Sequence, residues 1–488
     1  MSELPKGWKL VQIDEVSEVV SGGTPKSTNA SFYSENHHEA IAWITPADLS
    51  GYKKNSISHG RRSITKEGYD SCSAKLMPKG SVLFSSRAPV GYVVIAENEI
   101  CTNQGFKSFV PFKQVDSQYL YYYLKSIKHL AESLATGTTF KELSGKVAKT
   151  LPFPLAPLAE QKRIVEKLDE VLAQVDIIKA RLDGIPELLK RFRQSVLASA
   201  VSGKLTEEWR VAHGALGQDL KLIEQTKTGL ISAKTVKKDL NFELSDNIFD
   251  IPDSWAFIKL KSLSLKITDG EHKTPKREET GRYLLSARNI RDGYLCLENV
   301  DYVGEEEYQK LRKRCDPNKG DILISCSGSV GRVSLVDADD QYVMVRSAAL
   351  VKVIDDFLMN SYLVHVLQSP ELQKRIEESS KSTAQSNLFL GPIKELEIPL
   401  PPLAEQKEIV RLVDQYFAFA DTIEAQVKKA QARIDNLTQS ILAKAFRGEL
   451  VPQNDDDEPA EVLLERIAKA RKEAEALAKA AKKAAKAK

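Results

Sequence analysis

Apolar residues recur at alternating spacings of three and four along two separate stretches of the chain. In the first they are Leu168, Val171, Val175, Ile178, Leu182, Ile185, Leu189, Phe192 and Val196; in the second, Val413, Tyr416, Ala420, Ile423, Val427, Ala430, Ile434, Leu437 and Ile441. Such spacing is a heptad seam, the stripe a long helix offers to a partner helix. Pro157 and Pro402 stand at the first turn of each helix, where a missing N–H is tolerated. Glu160 and Glu405, three positions on, suit the positive end of the helix dipole. Gly203 and Gly448 read as stop signals. Helices of about 45 residues would each run roughly 67 Å, and Gly184 with Pro186 should kink the first. Two seams in equal register within one chain predict an antiparallel coiled coil formed by the chain with itself.

The seams belong to a longer repeat. Pro157–Lys162 (Pro-Leu-Ala-Glu-Gln-Lys) recurs letter for letter at Pro402–Lys407, and the same displacement carries Gln194-Ser195-Val196-Leu197-Ala198 onto Gln439-Ser440-Ile441-Leu442-Ala443. Weaker echoes precede each helix. Pro5-Lys6-Gly7-Trp8 answers to Pro252-Asp253-Ser254-Trp255, and Lys79-Gly80-Ser81-Val82-Leu83 to Lys319-Gly320-Asp321-Ile322-Leu323. The unit duplicated is a globular part followed by a helix. In the globular parts short β-type runs (80–84, 91–96, 106–111; then 321–325, 331–336, 342–354) mix with one helix each (119–127 and 361–367). The fold class expected is therefore α+β: two similar globular domains separated by the two long helices, with approximate two-fold symmetry. The boundaries expected are a first domain at 1–154, a first helical region at 155–210, a linker at 211–245, a second domain at 246–399, a second helical region at 400–450 and an Ala/Lys-rich tail at 451–488.

Composition narrows the class. The chain has 488 residues, enough for more than one core. No apolar run reaches the length of a membrane span, and Met1–Pro5 has no signal-peptide character. Cys72, Cys101, Cys296, Cys315 and Cys326 form no metal-ligand spacing and read as reduced thiols of a cytoplasmic protein. Lys and Arg number 70 against 67 Asp and Glu. Bulk charge does not advertise a polyanion partner, so any hold on DNA must come from local clusters or be shared with other subunits.

Between the predicted strands lie polar loops with chemistry suited to base edges and phosphates: Arg for guanine, Asn and Gln for adenine, glycine-bordered hydroxyls where backbone meets phosphate. In the first domain these are Ser21, Gly22, Gly23, Thr24 and Lys26; Thr45 and Asp48; Ser85, Ser86 and Arg87; Asn103 and Gln104. In the second they are His272, Lys273 and Thr274; Arg288 and Asn289; Ser325, Ser327 and Ser329; Arg346 and Ser347. Arg87, Arg288 and Arg346 fit a solvated or ion-paired role equally well. Lys479, Lys482, Lys483, Lys486 and Lys488 read either as a solvated end or as a steering charge for phosphate or a neighbouring subunit.

The repeated Pro-Leu-Ala-Glu-Gln-Lys blocks, each followed by a helix ending in Gln-Ser-(Val/Ile)-Leu-Ala, resemble the spacers of Type I restriction–modification specificity subunits of the enteric-type group. So do Leu188–Gln194, Gly203–Trp209 and Asn436–Leu450. The resemblance implies that each globular domain reads one half of a bipartite, asymmetric target in double-stranded DNA. It implies that the helices fix the gap between half-sites and dock two methyltransferase subunits, through positions such as Leu158, Glu160, Gln161, Lys162, Leu168, Phe192, Leu403, Glu405, Gln406, Lys407, Leu437 and Phe446. Two motor-nuclease subunits would complete the assembly. S-adenosylmethionine, ATP and Mg²⁺ would belong to those partners, leaving this chain without cofactor, metal or catalytic residue.

An independent enzyme is the first rival. The Pro401-Pro402 pair lacks the Asn/Asp and aromatic neighbours with which an adenine methyltransferase holds a flipped base. Gly145-Lys146 lacks the remainder of a phosphate loop. Glu160-Gln161-Lys162 resembles a nuclease fragment but opens a helix without a nearby upstream Asp, and His37-His38 reads as a loop pair. A coiled-coil scaffold that never reads DNA is the second rival; the duplicated α+β domains with Arg-, Asn- and Ser-bearing loops speak against it.

Overall fold

The computed structural model describes residues 4–137, 141–214, 217–380 and 387–486, the side chains of 474, 475 and 478–486 excepted. The lysines of the extreme C-terminus lie outside the described side chains. The chain forms two compact units, Met1–Leu182 with Lys429–Lys488, and Asp183–Lys428.

In the first unit β1 (Lys9–Gln12) opens the fold, β2 (Ser17–Ser21) follows, and β3 (Ser56–Ile57), β4 (Val82–Ser86), β5 (Val90–Ala96) and β6 (Lys107–Pro111) complete a sheet ordered β2-β6-β4-β5-β3. The long strands pair antiparallel, Lys107 opposite Ser21 and Val82 opposite Ile95. Helix α1 (Ser117–Ser126) packs on this sheet. Asp116 caps it by accepting from the Gln118 and Tyr119 N–H groups. Short α2 (Gly145–Lys149) leads into β7 (Pro152–Leu155), which returns antiparallel to β1, Lys9 opposite Leu155.

The second unit repeats the plan. Helix α3 (Leu158–Val201) begins in the first unit and ends in this one. After α4 (Leu220–Ser232), β8 (Ala256–Lys259) takes the place of β1. Strands β9 (Ser264–Asp269), β10 (Ile322–Ser325), β11 (Val333–Leu335) and β12 (Ala348–Val353) form a sheet ordered β9-β12-β10-β11, the counterpart of β2-β6-β4-β5. Helix α5 (Asn360–Gln368), short α6 (Leu390–Lys394) and β13 (Glu397–Leu400), which pairs with β8, complete the match. The α+β class and the duplication are as the sequence predicts.

Helix α7 (Leu403–Ala445) begins in the second unit and ends in the first. Within the first unit Lys179 of α3 reaches Asp435 of α7; within the second, Arg193 reaches Asp421 and Glu424, and the Phe192 ring meets Tyr416 edge-on. Within each unit the pairing is antiparallel: the start of one long helix shares a core with the end of the other, Leu168 with Leu442 in the first and Val413 with Val196 in the second. Apolar seam positions close each core. Ile164, Leu168 and Val175 join Leu442 and Phe446 around Trp8, Phe109 and Tyr119. Val196 and Val201 join Ile409 and Val413 around Trp255, Ile324 and Tyr362. Each such side chain fully withdrawn from water contributes about 1.5–3 kcal/mol. The α3 helix continues unbroken through Gly184 and Pro186.

Two stretches differ from expectation. The linker at 211–245 contains α4, whose Ile223 and Lys227 are buried, so it is part of the second unit's body. The tail forms α8 (Ala460–Lys486) and is docked over its first turns: Ala460, Leu463 and Ile467 are buried, the Ala460 N–H donates to Gly7 O, and the Arg471 guanidinium donates to Asp14 O and lies over Phe112. An apolar residue at each of 460, 463 and 467 is a helical face hidden in an Ala/Lys-rich composition. Among the described residues no helix is long and apolar enough to cross a membrane.

Candidate nucleic-acid interface

Four of the polar segments marked in each globular domain converge, and backbone hydrogen bonds hold them together in the same way twice. In the first unit Gly22 lies so close to the 102–103 backbone that a Cβ would sit 1.9 Å from Asn103 O, and the Gly23 N–H donates to Thr102 O at 2.9 Å. Asn103 donates its N–H to Ile44 O. Next to it Thr45 opens a 3₁₀ turn, donating its N–H and Oγ1 to the Asp48 carboxylate at 2.8 and 2.7 Å. The Asn103 side chain accepts from the Gly105 N–H, and Gly105 O accepts from the Ser86 N–H at 2.7 Å. Ser85 then pins the β4–β5 hairpin: its Oγ donates to Pro89 O and accepts from the Tyr92 N–H. Arg87 stands at the hairpin tip, 3.4 Å from Glu142.

In the second unit a Cβ on Gly270 would sit 2.1 Å from Met344 O, and Glu271 exchanges backbone bonds with Met344 and Arg346. Ser286 opens a matching 3₁₀ turn capped by Asn289. Ser347 links that turn to the hairpin, accepting from the Ala287 N–H at its Oγ and from the Cys326 N–H at its carbonyl. Ser325 pins the hairpin by donating to Ser329 O and accepting from the Arg332 N–H. The 342–354 run read as one strand is interrupted here. Residues 345–347 leave the strand to form this junction, between Tyr342–Met344 and β12.

The frame decides which predicted residues can meet a ligand. Ser21, Lys26, Gln104, His272, Lys273, Thr274, Arg288, Ser329 and Arg346 are exposed. Gly22, Thr24, Thr45, Asp48, Arg87, Asn103, Ser327 and Ser347 are partly exposed. Gly23, Ser85, Ser86, Asn289 and Ser325 are buried, and Ser85, Asn289 and Ser325 serve the frame itself. Arg288 is ion-paired with Asp301 at 2.8 Å. His272 and Arg314 both bind Asp269, at 2.7 Å each. Burial opposes ionisation of Asp269, but those two donors outweigh it and hold the carboxyl below its ordinary value. The exposed Arg346 has no ion-pair partner among the described residues. Sequence reading missed Arg61 and Arg62, exposed beside the Thr45–Asp48 turn. The Arg61 N–H donates to Asp48 and the Arg62 guanidinium stacks over Tyr33. An Arg-Arg pair preceding a strand was the available signal.

The repeated helix-start motif proves to be an internal clamp. Glu160 and Gln161, like Glu405 and Gln406, are at most 1% exposed. Glu160 accepts from the Trp8 indole at 2.9 Å and from Gln453 at 2.6 Å. Glu405 accepts from the Trp255 indole at 2.8 Å, from Thr206 at 2.7 Å and from Arg210 at 2.5 Å. Gln161 and Gln406 hold the N–H groups of Asp116 and Met359. The expectation that these four face a partner is thus corrected: they fasten each globular domain to its helix. Burial pushes the Glu160 carboxyl above its ordinary value, against the lowering effect of its two donors. The far helix ends complete the clamp. Gly203 has φ +74° and Gly448 φ +73°, and a Cβ would meet Pro252 at 2.5 Å and Pro5 at 2.2 Å respectively. Of the other helix positions, Leu168 and Phe446 are core, Leu158, Leu403 and Phe192 half-buried, and Lys162, Lys407 and Leu437 exposed.

Comparison with known proteins bears on this arrangement. A family model described as the Type I restriction modification DNA specificity domain matches residues 5–187 and again 252–431. The chain is 32% identical over 449 residues to the Type I restriction enzyme EcoBI specificity subunit of Escherichia coli, covering 91% of this chain and 87% of that protein. It is 30% identical over 464 residues to the EcoKI specificity subunit of Escherichia coli strain K12, covering 92% and 91%. In fold it is similar to a chain solved in a study of type I R-M system assembly and conformational transition, with TM-score 0.59, 19% identity, and coverage of 92% of this chain and 100% of that one. The HsdS subunit from Thermoanaerobacter tengcongensis gives TM-score 0.51 at 18% identity, covering 92% and 98%.

Proposed function

The chain belongs to the Type I restriction–modification DNA specificity family, and on that premise we propose that it is the sequence-reading subunit of such a complex, each globular domain reading one half of a bipartite, asymmetric DNA target. The observation that carries this is the duplicated frame with unlike side chains. Equivalent hydrogen bonds gather the same four segments in both units, yet the hairpin tip is Arg87-Ala88 in one and Ser327-Gly328 in the other, and the strand end is Ser21 in one and Asp269 in the other. One scaffold with two sets of tips reads two different half-sites; identical readers would demand a palindrome.

The long helices set the spacing between half-sites and dock two methyltransferase subunits. Apolar side chains left on their surface support this: Ile177, Ile178 and Leu437 in the first unit, Leu188 and Phe419 in the second, are 49–60% exposed. Adenine methylation with S-adenosylmethionine, and cleavage with ATP and Mg²⁺ by two motor-nuclease subunits, belong to those partners. Mapping methylated adenines across the genome of cells with and without this protein tests the reading. A single bipartite motif should appear or vanish with it; an unchanged methylation pattern overturns the assignment.

A further inference from the structure

Beside the four-segment frame of the first unit lies a cleft of about 570 Å³ whose lining includes Ser21, Gly22, Ser73, Lys75, Lys146 and Lys149. It runs along β2, the edge strand of its sheet. All three lysines are exposed, none has an ion-pair partner among the described residues, and no carboxylate lines the cleft. Glu142, just ahead of α2 in the sequence, is engaged by Arg87 and Lys107, each at 3.4 Å. Free lysines around a glycine-bordered hydroxyl segment are the chemistry of phosphate contact rather than base reading. They supply charge without the planar fork that discriminates bases.

The second unit has lost this feature at the corresponding positions. Ser21-Gly22 becomes Asp269-Gly270, with an acid at the strand end. Lys146 and Lys149 of α2 correspond to Gly391 and Lys394 of α6, and Lys394 is ion-paired with Asp239 at 2.6 Å. Duplication has therefore kept the frame in both units, while the two unpaired helix lysines of the first are, in the second, a glycine and a lysine held by an acid.

We infer that the Lys75–Lys146–Lys149 cleft holds the phosphodiester backbone of double-stranded DNA, so that the first unit contributes phosphate contacts that the second does not. This rests on the DNA-reading function proposed above. Because Gly22 is shared between the cleft and the frame, the backbone would pass directly beside the bases being read. The cleft anchors and the frame's tips discriminate.

The test is the salt dependence of binding by the assembled complex to its target duplex and to a scrambled duplex. Each phosphate neutralised contributes about 0.9 to the slope of log affinity against log salt. Lys75→Ala/Lys146→Ala/Lys149→Ala together should reduce that slope by about 2 to 3 for both duplexes, while the methylated motif stays the same. A matched triple of exposed lysines outside the cleft, Lys53→Ala/Lys54→Ala/Lys79→Ala, should leave the slope unaltered. An unchanged slope in the cleft variant, or equal losses in both triples, overturns the cleft assignment and leaves sequence reading intact. A wild-type complex that failed to prefer target over scrambled duplex would instead overturn the function on which the cleft depends.

Discussion

A buried carboxylate is tolerated only while donors surround it, and the two clamp glutamates differ in that respect. Glu405 keeps Arg210 and Thr206 if its indole partner is removed, whereas Glu160 keeps Gln453 alone. Trp8→Phe should therefore cost about 1–3 kcal/mol, and Trp255→Phe less, as read from urea unfolding followed in each unit. Equal losses would show that the Arg210 guanidinium gives no compensation. The Trp8→Phe deficit should also shrink on acidification. Glu160 already has a raised value when folded. The native state therefore holds the extra proton in the window between the ordinary and the raised value, and stability rises as pH falls through it. Lys227 gives the alkaline counterpart. It is 0% exposed, donates to Lys261 O and Ser264 O, and burial lowers it to about 8. Above that pH the folded state sheds a proton that the unfolded chain retains, so the group adds stability as pH rises toward its ordinary value, by about 3 kcal/mol at most. Subtracting the pH profile of Lys227→Met from that of wild type isolates this contribution from the thiols and phenols that titrate nearby. A difference that stayed flat from pH 8 to 10 would refute it.

At the scale of elements, the regular features were legible and the irregular ones were not. Both long helices, their stop glycines and most sheet strands follow from spacing and turn residues, because a heptad seam and a β run state their partner's geometry in their own period. Val345 and its neighbours have β propensity, so the sequence predicts strand through 345–347; the contacts of Ser347 across the fold decide otherwise. Ser85, Asn289 and Ser325, expected at a DNA contact, are buried and pin turns; a hydroxyl or amide that pins a turn has the same local sequence as one that meets a ligand. The docked turns of α8 were masked by alanine, which is equally at home inside and outside a helix. The proposed spacing role of the helices gives this scale its own test. Inserting residues into α3 after Ala180, within the exposed stretch that includes Ile177 and Ile178, should lengthen the untouched gap in the methylated motif or abolish binding. A motif of unaltered length would mean that the helices are not the ruler.

For the molecule as a whole, the repeat was the strongest signal in the chain, and it led to the frame although not to the side chains that use it. The motifs that are alike in the two units specify architecture, and the tips that differ are where the proposed function places the reading of the target. Exchanging residues 1–150 for those of a relative should accordingly replace one half of the methylated motif and preserve the other; a change in both halves would refute modular reading. The clamp at Glu160, Trp8 and Gly448 carries a further consequence. The first unit is assembled from Met1–Leu182 and Lys429–Lys488, so it can be sealed only after the whole of the second unit, which lies between these segments, has been synthesised. The second unit, contiguous from Asp183 to Lys428, can close while translation is still under way. The unit whose synthesis starts first therefore depends on a segment made after the other unit, and Trp8 waits with Glu160 for the Gly448 end of its clamp.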